Sequence, residues 1–168
     1  MAIGSPLFSG PVRRRYWIVA ALCAAAPDLD YLWKWAVPAG HWLAHRGLTH
    51  APIFAVVLAA GMTRAAFGRS AFGGSRLAIW GGLTLATASH GLLDAMSTYG
   101  PGVPFLLPFS TRRFFLPWRP ISAGLGPHDH GLLGGLLETI GSELVWIWIP
   151  AVLLLWVTAR LRKRRARV

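Results

Sequence analysis

Four apolar runs organise this chain, each bounded by charged residues or by Gly- and Pro-rich stretches. A bilayer core is about 30 Å thick and takes about 20 helical residues to cross, which is the measure for each run. The first, Tyr16 to Ala26 (YWIVAALCAAA), is short unless the helix passes Pro27 into Tyr31 to Val37, so residues 16–37 predict a marginal span or a pair of half-helices. The second, residues 51–67, is interrupted only near its end by Thr63 and Arg64, and the third, 77–98, carries His90 and Asp94. The fourth, 144–161, is the cleanest, with Pro150 as the expected site of a kink.

Between the last two runs, Pro101, Pro104, Pro108, Pro117, Pro120 and Pro127 preclude regular helix, and residues 99–140 predict an ordered cap or re-entrant loop. Its Trp118 and its phenylalanines, Phe105, Phe109, Phe114 and Phe115, suit the headgroup zone of a membrane. The predicted fold is all-α: one integral membrane domain over residues 1–168, a transmembrane helical bundle of about four spans with this Pro/aromatic cap.

Composition agrees with that pattern. The chain is 54% hydrophobic and 14% charged, against about 25% charged in soluble domains. The net charge of +11 raises nucleic acid as a partner, but the cations sit at the ends of the apolar runs, where topology signals belong. Nucleic acid is therefore not expected as the primary partner; membrane lipids are. The single cysteine, Cys23, excludes an intramolecular disulfide and a Cys-based zinc knuckle. The stretch before Arg13 lacks the apolar core of a cleavable signal peptide, so insertion is expected to use the later segments.

Placing the N-terminus, the loop between runs two and three, and the basic tail 160–168 on one side collects twelve of the seventeen Lys and Arg residues there. By the positive-inside rule that side is cytoplasmic, which puts the C-terminus inside the cell. Every histidine and every acidic residue then falls at the opposite, non-cytoplasmic face. Ionisable groups beside hydrocarbon need partners, and a divalent cation would neutralise carboxylates while accepting neutral imidazoles.

Three motifs carry that chemistry. His90-Gly-Leu-Leu-Asp94 sets His and Asp four apart on one helical face, suited to a metal or to a hydrogen-bonded pair joining helices. Pro27-Asp28-Leu29-Asp30 brings two carboxylates together after a helix end, as a cation site or as a solvated turn. His45-Arg46-Gly47-Leu48-Thr49-His50 adds two imidazoles and a guanidinium able to grip phosphate or carboxylate. Glu143, at the mouth of the fourth run, fits a ligand or general base, as Glu138 does less directly; a helix N-terminal carboxylate is the plainer reading of either. Arg112, Arg113 and Arg119 suit an anionic substrate or lipid headgroups. His41, His128, Asp129 and His130 give a weaker signal, more that of solvated loops.

Taken in order, PDLD, HRGLTH, HGLLDAMSTYG, PFSTRRFFLPWRPI and a Glu opening the last apolar run resemble the YdjM-like family of bacterial inner-membrane proteins, described as membrane-bound metal-dependent hydrolases. The resemblance covers roughly residues 27–160. That family looks distantly related to the zinc-dependent phospholipase C and single-strand nuclease superfamily, where a helical His-x-x-x-Asp supplies metal ligands, which His90 and Asp94 match. The resemblance implies Asp28, Asp30, His45, His50 and Glu143 as further ligands to one to three ions, zinc or else manganese. Family members usually open with an apolar helix bearing a Thr-His pair, whereas this chain opens MAIGSPLFSGPVRRR; a further span outside this sequence, or one ligand fewer, is the expectation.

The function this implies is metal-dependent hydrolysis of a phosphoester of a lipid or other membrane-associated substrate. Asp30 or Glu143 would take the proton and Arg46 or Arg112 would steady developing negative charge. The alternative class is a non-catalytic metal-binding transporter or sensor, although transport favours ionisable groups near the midplane rather than at one face. A third is a structural subunit that uses these residues as polar glue. No Gly-x-Ser-x-Gly elbow or His-Glu-x-x-His motif points to other intramembrane hydrolases.

Overall fold

The computed structural model describes residues 10–68, 76–122 and 131–165. Among them all regular structure is helical, and two isolated bridges, Ser97 with Ile121 and Val103 with Phe114, are the sole β-type pairing. The chain divides into two compact units, Met1–Ala95 with Pro101–Phe115 and Met96–Gly100 with Leu116–Val168.

In the first unit, α1 (Gly10–Ala25) gives way to a 3-10 segment, Ala26–Trp33, then to turns and a short 3-10 turn, Leu48–His50, before α2 (Pro52–Phe67) and α3 (Arg76–Ala95). The first apolar run is thus an α-helix ending ahead of Pro27 and a separate 3-10 piece, the half-helix form of the expectation. Pro27 lacks the N–H that would extend the α-helical ladder and opens the tighter turn instead. Pro52 begins α2, where its missing donor has no partner to lose.

The packing follows from spacing. Residues Ala55, Ala59, Thr63 and Phe67 form one buried row along α2, and Ile79, Leu83, Thr87, Gly91 and Ala95 form another along α3. Both rows repeat every four residues, so ridges of the two helices interdigitate, and the small side chains let the backbones come close. Val19, Ala20 and Cys23 of α1 complete the core with Ala59, Phe67, Ile79 and Leu83. Cys23 is buried, as its place in an apolar run implied.

Helices α1 and α3 end, and α2 begins, at the same end of this unit. That end carries Asp28, Asp30, His50, His90 and Asp94; the opposite ends carry Arg14, Arg15, Arg64 and Arg76. The charge segregation read from the sequence is therefore present within the fold of the first unit.

In the second unit, helix runs from α4 (Gly131–Glu143) through a π turn, Leu144–Trp148, into α5 (Ile149–Arg165). The irregular cap expected to reach residue 140 gives way to helix from Gly131 onward. After Pro127 no proline interrupts the chain until Pro150, and a leucine-rich stretch tolerates Gly134, Gly135 and Gly141. The π turn lies immediately before Pro150, whose ring would otherwise collide with the carbonyl of Trp146, so the widened turn absorbs the expected kink.

Residues Leu133–Leu161 form a 29-residue apolar helix, with mean hydropathy 1.9 over an 18-residue stretch of it, long enough to cross a membrane. Among the described residues no other helix meets that standard of length and hydropathy. At 16 residues α1 and α2 each reach only about 24 Å, and α3 is diluted by Thr84, Thr87, Ser89, His90 and Asp94.

Candidate metal centre

Three segments of the first unit converge on one cluster: the 3-10 turn with Asp28 and Asp30, the loop from His41 to His50, and the last turns of α3. Two glycines permit the approach. At Gly91, between the motif residues His90 and Asp94, a Cβ would collide with the backbone carbonyl of His50. At Gly47 a Cβ would strike the carbonyls of Trp42 and Ala44, so the loop curls tightly enough for Leu48 to donate to Trp42 O at 2.8 Å. The glycines inside HGLLD and HRGLTH are there for close packing.

Asp30 is completely buried, and its carboxylate organises the loop. Its Oδ1 accepts from His45 Nδ1 at 2.7 Å, and its Oδ2 accepts from the Thr49 hydroxyl at 2.8 Å and the Arg46 N–H at 3.2 Å. Because Thr49 donates to Asp30, its oxygen is left to accept from His50 Nδ1, 3.0 Å away. A relay runs from His50 through Thr49 to Asp30, fixing the His50 ring with Nε2 directed away from Asp30. His90 is fixed in the same sense: its Nδ1 donates to the Ala24 carbonyl at 2.9 Å, so Nε2 faces the cluster.

Four atoms meet where those nitrogens point. His50 Nε2 lies 3.6 Å from Asp28 Oδ1 and 3.1 Å from Asp94 Oδ2, and His90 Nε2 lies 3.3 Å and 3.9 Å from the same two oxygens. Around a tetrahedral zinc ion with bonds of 2.0–2.1 Å, neighbouring ligand atoms are about 3.3 Å apart. The four N–O spacings therefore suit a divalent cation, as does the chemistry of the donors. Moreover, His50 Nε2 is buried and makes no hydrogen bond among the described residues, although two carboxylate oxygens stand close to it. Asp28, His50 and His90 form one group able to hold an ion, and Asp30, His45 and His50 form a second, with the ligand atoms of each within 4.8 Å of one another. In the second group the contacts are already those of the hydrogen-bonded relay. Asp28 is half-exposed and opens the cluster to its surroundings, while His50 is enclosed.

Burial disfavours a charged His50, but the surrounding carboxylates of Asp28, Asp30 and Asp94 outweigh it and raise the imidazole from 6.5 to about 10. Arg46 sits buried in a left-handed backbone conformation, φ 58°, uncommon for a residue with a side chain. Its N–H is held by Asp30, and its guanidinium meets Asp94 Oδ1 at 3.0 Å. Arg113 secures the same loop from outside, its guanidinium donating to the carbonyls of Arg46 at 2.8 Å, Gly102 at 3.2 Å, His41 at 3.4 Å and His45 at 3.5 Å. Burial, and then the charge of Arg46 nearby, lower the pKa of Arg113.

Of the residues the sequence singled out, Asp28, Asp30, His45, Arg46, His50, His90 and Asp94 come together in this unit. Arg112 does not reach into the relay; its guanidinium lies over the Phe114 ring at 5.4 Å, and the side chain is exposed. His41 is exposed and accepts from the Leu43 N–H. Glu143 belongs to the second unit, half-buried at the end of α4, and Glu138 of that unit accepts from Ser122 Oγ at 2.8 Å. His128, Asp129 and His130 lie outside the described residues. Sequence reading missed Thr49, the loop-bracing task of Arg113, and Tyr31, whose ring lies tilted against His45 with centroids 4.1 Å apart. Thr49 had a visible signal, its position between the two histidines of HRGLTH.

A helical unit whose elements converge on buried His and Asp residues defines a helical protein with a centre able to hold metal. This chain belongs to the YdjM inner membrane protein family, whose sequence profile matches residues 1–165. It is 34% identical over 163 residues to "Inner membrane protein YbcI" of Escherichia coli (strain K12), covering 92% of this chain and 89% of that protein. No solved structure matches the chain. The protein is thus an inner membrane protein, as its apolar runs and its resemblance led one to expect.

Proposed function

We propose that this protein is a metal-dependent hydrolase acting on a phosphoester at the membrane, with one divalent cation, zinc by the character of its donors, held by Asp28, His50, His90 and Asp94. The observation that carries this reading is the placement of two Nε2 atoms against two carboxylate oxygens, with all four N–O distances between 3.1 and 3.9 Å, around the group of Asp28, His50 and His90 that is able to hold an ion. Such an ion lowers the pKa of water toward neutrality and polarises a phosphoryl oxygen. Asp30 then acts by orienting His45 and, through Thr49, His50. Arg46 shares Asp94 with the quartet and supplies positive charge beside it. Half-exposed Asp28 marks the side from which substrate enters. In this reading the first three apolar runs also lie in the bilayer, the cluster faces the non-cytoplasmic side and the C-terminus is cytoplasmic.

Purified protein is expected to hydrolyse a lipid phosphoester on addition of zinc or manganese and to lose that activity in His90→Ala and Asp94→Ala. Activity that survives both substitutions would remove the cluster from the reaction.

A further inference from the structure

The turns that build the cluster also display large apolar side chains that no helix face accounts for. Trp35 is 92% exposed, Phe109 95% and Leu32 79%, all outside the α-helices of the first unit. These are not loosely held turns. Trp33 Nε1 donates to Leu43 O at 2.9 Å, closing the lobe across ten residues, and Arg113 ties the carbonyls of His41 and His45 to the segment that carries Arg112 and Phe114. A braced lobe that holds Trp35 outward exposes it by construction.

Lys34, Arg112 and Arg113 lie on these segments, and no acidic residue occurs between Asp30 and Asp94 or between Asp94 and Asp129; the carboxylates nearest the lobe are those of the cluster, Asp28, Asp30 and Asp94, whose charge reaches Tyr31. Lys34 Nζ lies 4.8 Å from the Tyr31 ring and 5.7 Å from the Trp35 ring, and Arg112 covers Phe114. Cations laid over aromatic rings, exposed at Tyr31 and Trp35 and half-buried at Phe114, present an apolar body with a positive tip, the pairing that settles between acyl chains and phosphate groups.

We propose that the lobe of residues 31–42, together with the turn at Phe109, is a seat for the headgroup layer of an anionic phospholipid membrane. Trp35 and Phe109 enter the acyl boundary, and Lys34 and Arg112 meet lipid phosphates. The seat stands on this surface alone and needs no bound ion. Joined to the metal reading, it makes the headgroup phosphoester the substrate class, because the Tyr31 ring of the lobe lies against His45, tilted, with centroids 4.1 Å apart.

The test uses the full chain with Cys23→Ala, reconstituted in vesicles of phosphatidylglycerol and phosphatidylcholine. Trp35→Cys and Phe109→Cys are labelled singly with a polarity-sensitive fluorophore, at positions exposed enough to leave the fold intact. Both labels are expected to be quenched several-fold more strongly by spin-labelled lipid than by aqueous iodide. Lys34→Ala and Arg112→Ala are each expected to reduce that preference by about fivefold in anionic vesicles, with little change in phosphatidylcholine alone. Labels reached equally by iodide overturn the proposal. So does energy transfer between labels on separate molecules that persists on dilution with lipid, which would make a second copy the occupant. Neither readout depends on metal content or turnover, so the seat can fail while the hydrolase reading holds, and the reverse.

Discussion

The carbonyl of His50 lies against Gly91 at a place where no side chain fits, and this contact seats the HRGLTH loop beside the HGLLD turns of α3. Gly91→Ala is expected to push the loop off α3, separate His50 from His90 and Asp94, and weaken divalent-cation affinity at least about tenfold. Gly81→Ala on the same helix is the control, since its Cβ meets nothing within 4 Å; it is expected to bind as the parent does, with equal or slightly higher stability. Titration calorimetry with zinc on both variants checks this pair.

Asp30 is expected to act through its neighbours. Asp30→Asn removes an acceptor from the relay of His45, Thr49 and His50, and an orienting residue of this kind typically changes affinity about 10- to 100-fold. Thr49→Val breaks the same relay one step later and is expected to fall in the same range. Competition against a chromophoric chelator distinguishes these partial losses from the abolition expected of a ligand.

The pH dependence has two parts of opposite sign. The folded protein holds the His50 proton up to about 10, against 6.5 ordinarily. The metal-free protein therefore keeps this stabilisation fully below about 6.5 and loses it as pH rises through about 10. Its thermal transition in detergent is expected to fall over that window. Cation binding needs the Nε2 lone pair, so affinity is expected to rise about tenfold per pH unit across the same window. Affinity that is flat with pH would show that His50 gives up no proton.

Arg113 and Arg112 are neighbours with different tasks. Arg113→Lys cannot reproduce a fork that serves four carbonyls, and is expected to destabilise the protein by about 1–3 kcal/mol. Arg112→Lys keeps its charge at an exposed site and is expected to leave the thermal transition unchanged. Paired melts of the two variants decide it.

Much of the fold was legible because its causes are local. The apolar runs placed α2 to within a residue and α3 to within three, its last turn stopping at Ala95 rather than 98, and Pro27 told where α1 stops. The expected cap runs past the start of α4 because prolines mark where helix is broken but not where it resumes. The cluster residues were legible through their spacing, His90 with Asp94 above all. Their division of labour was not: whether Asp30 coordinates or orients depends on where Thr49 and the Arg46 N–H point, which is set by the curl at Gly47.

The central claim is that Asp28, His50, His90 and Asp94 hold a divalent cation. Elemental analysis of the purified protein beside its His90→Ala/Asp94→Ala double variant tests it most directly, with circular dichroism confirming that both are equally helical. The expected result is close to one equivalent of zinc or manganese in the parent and essentially none in the variant. Equal metal in both proteins, or none in a parent purified without chelator and incubated with zinc, would contradict it.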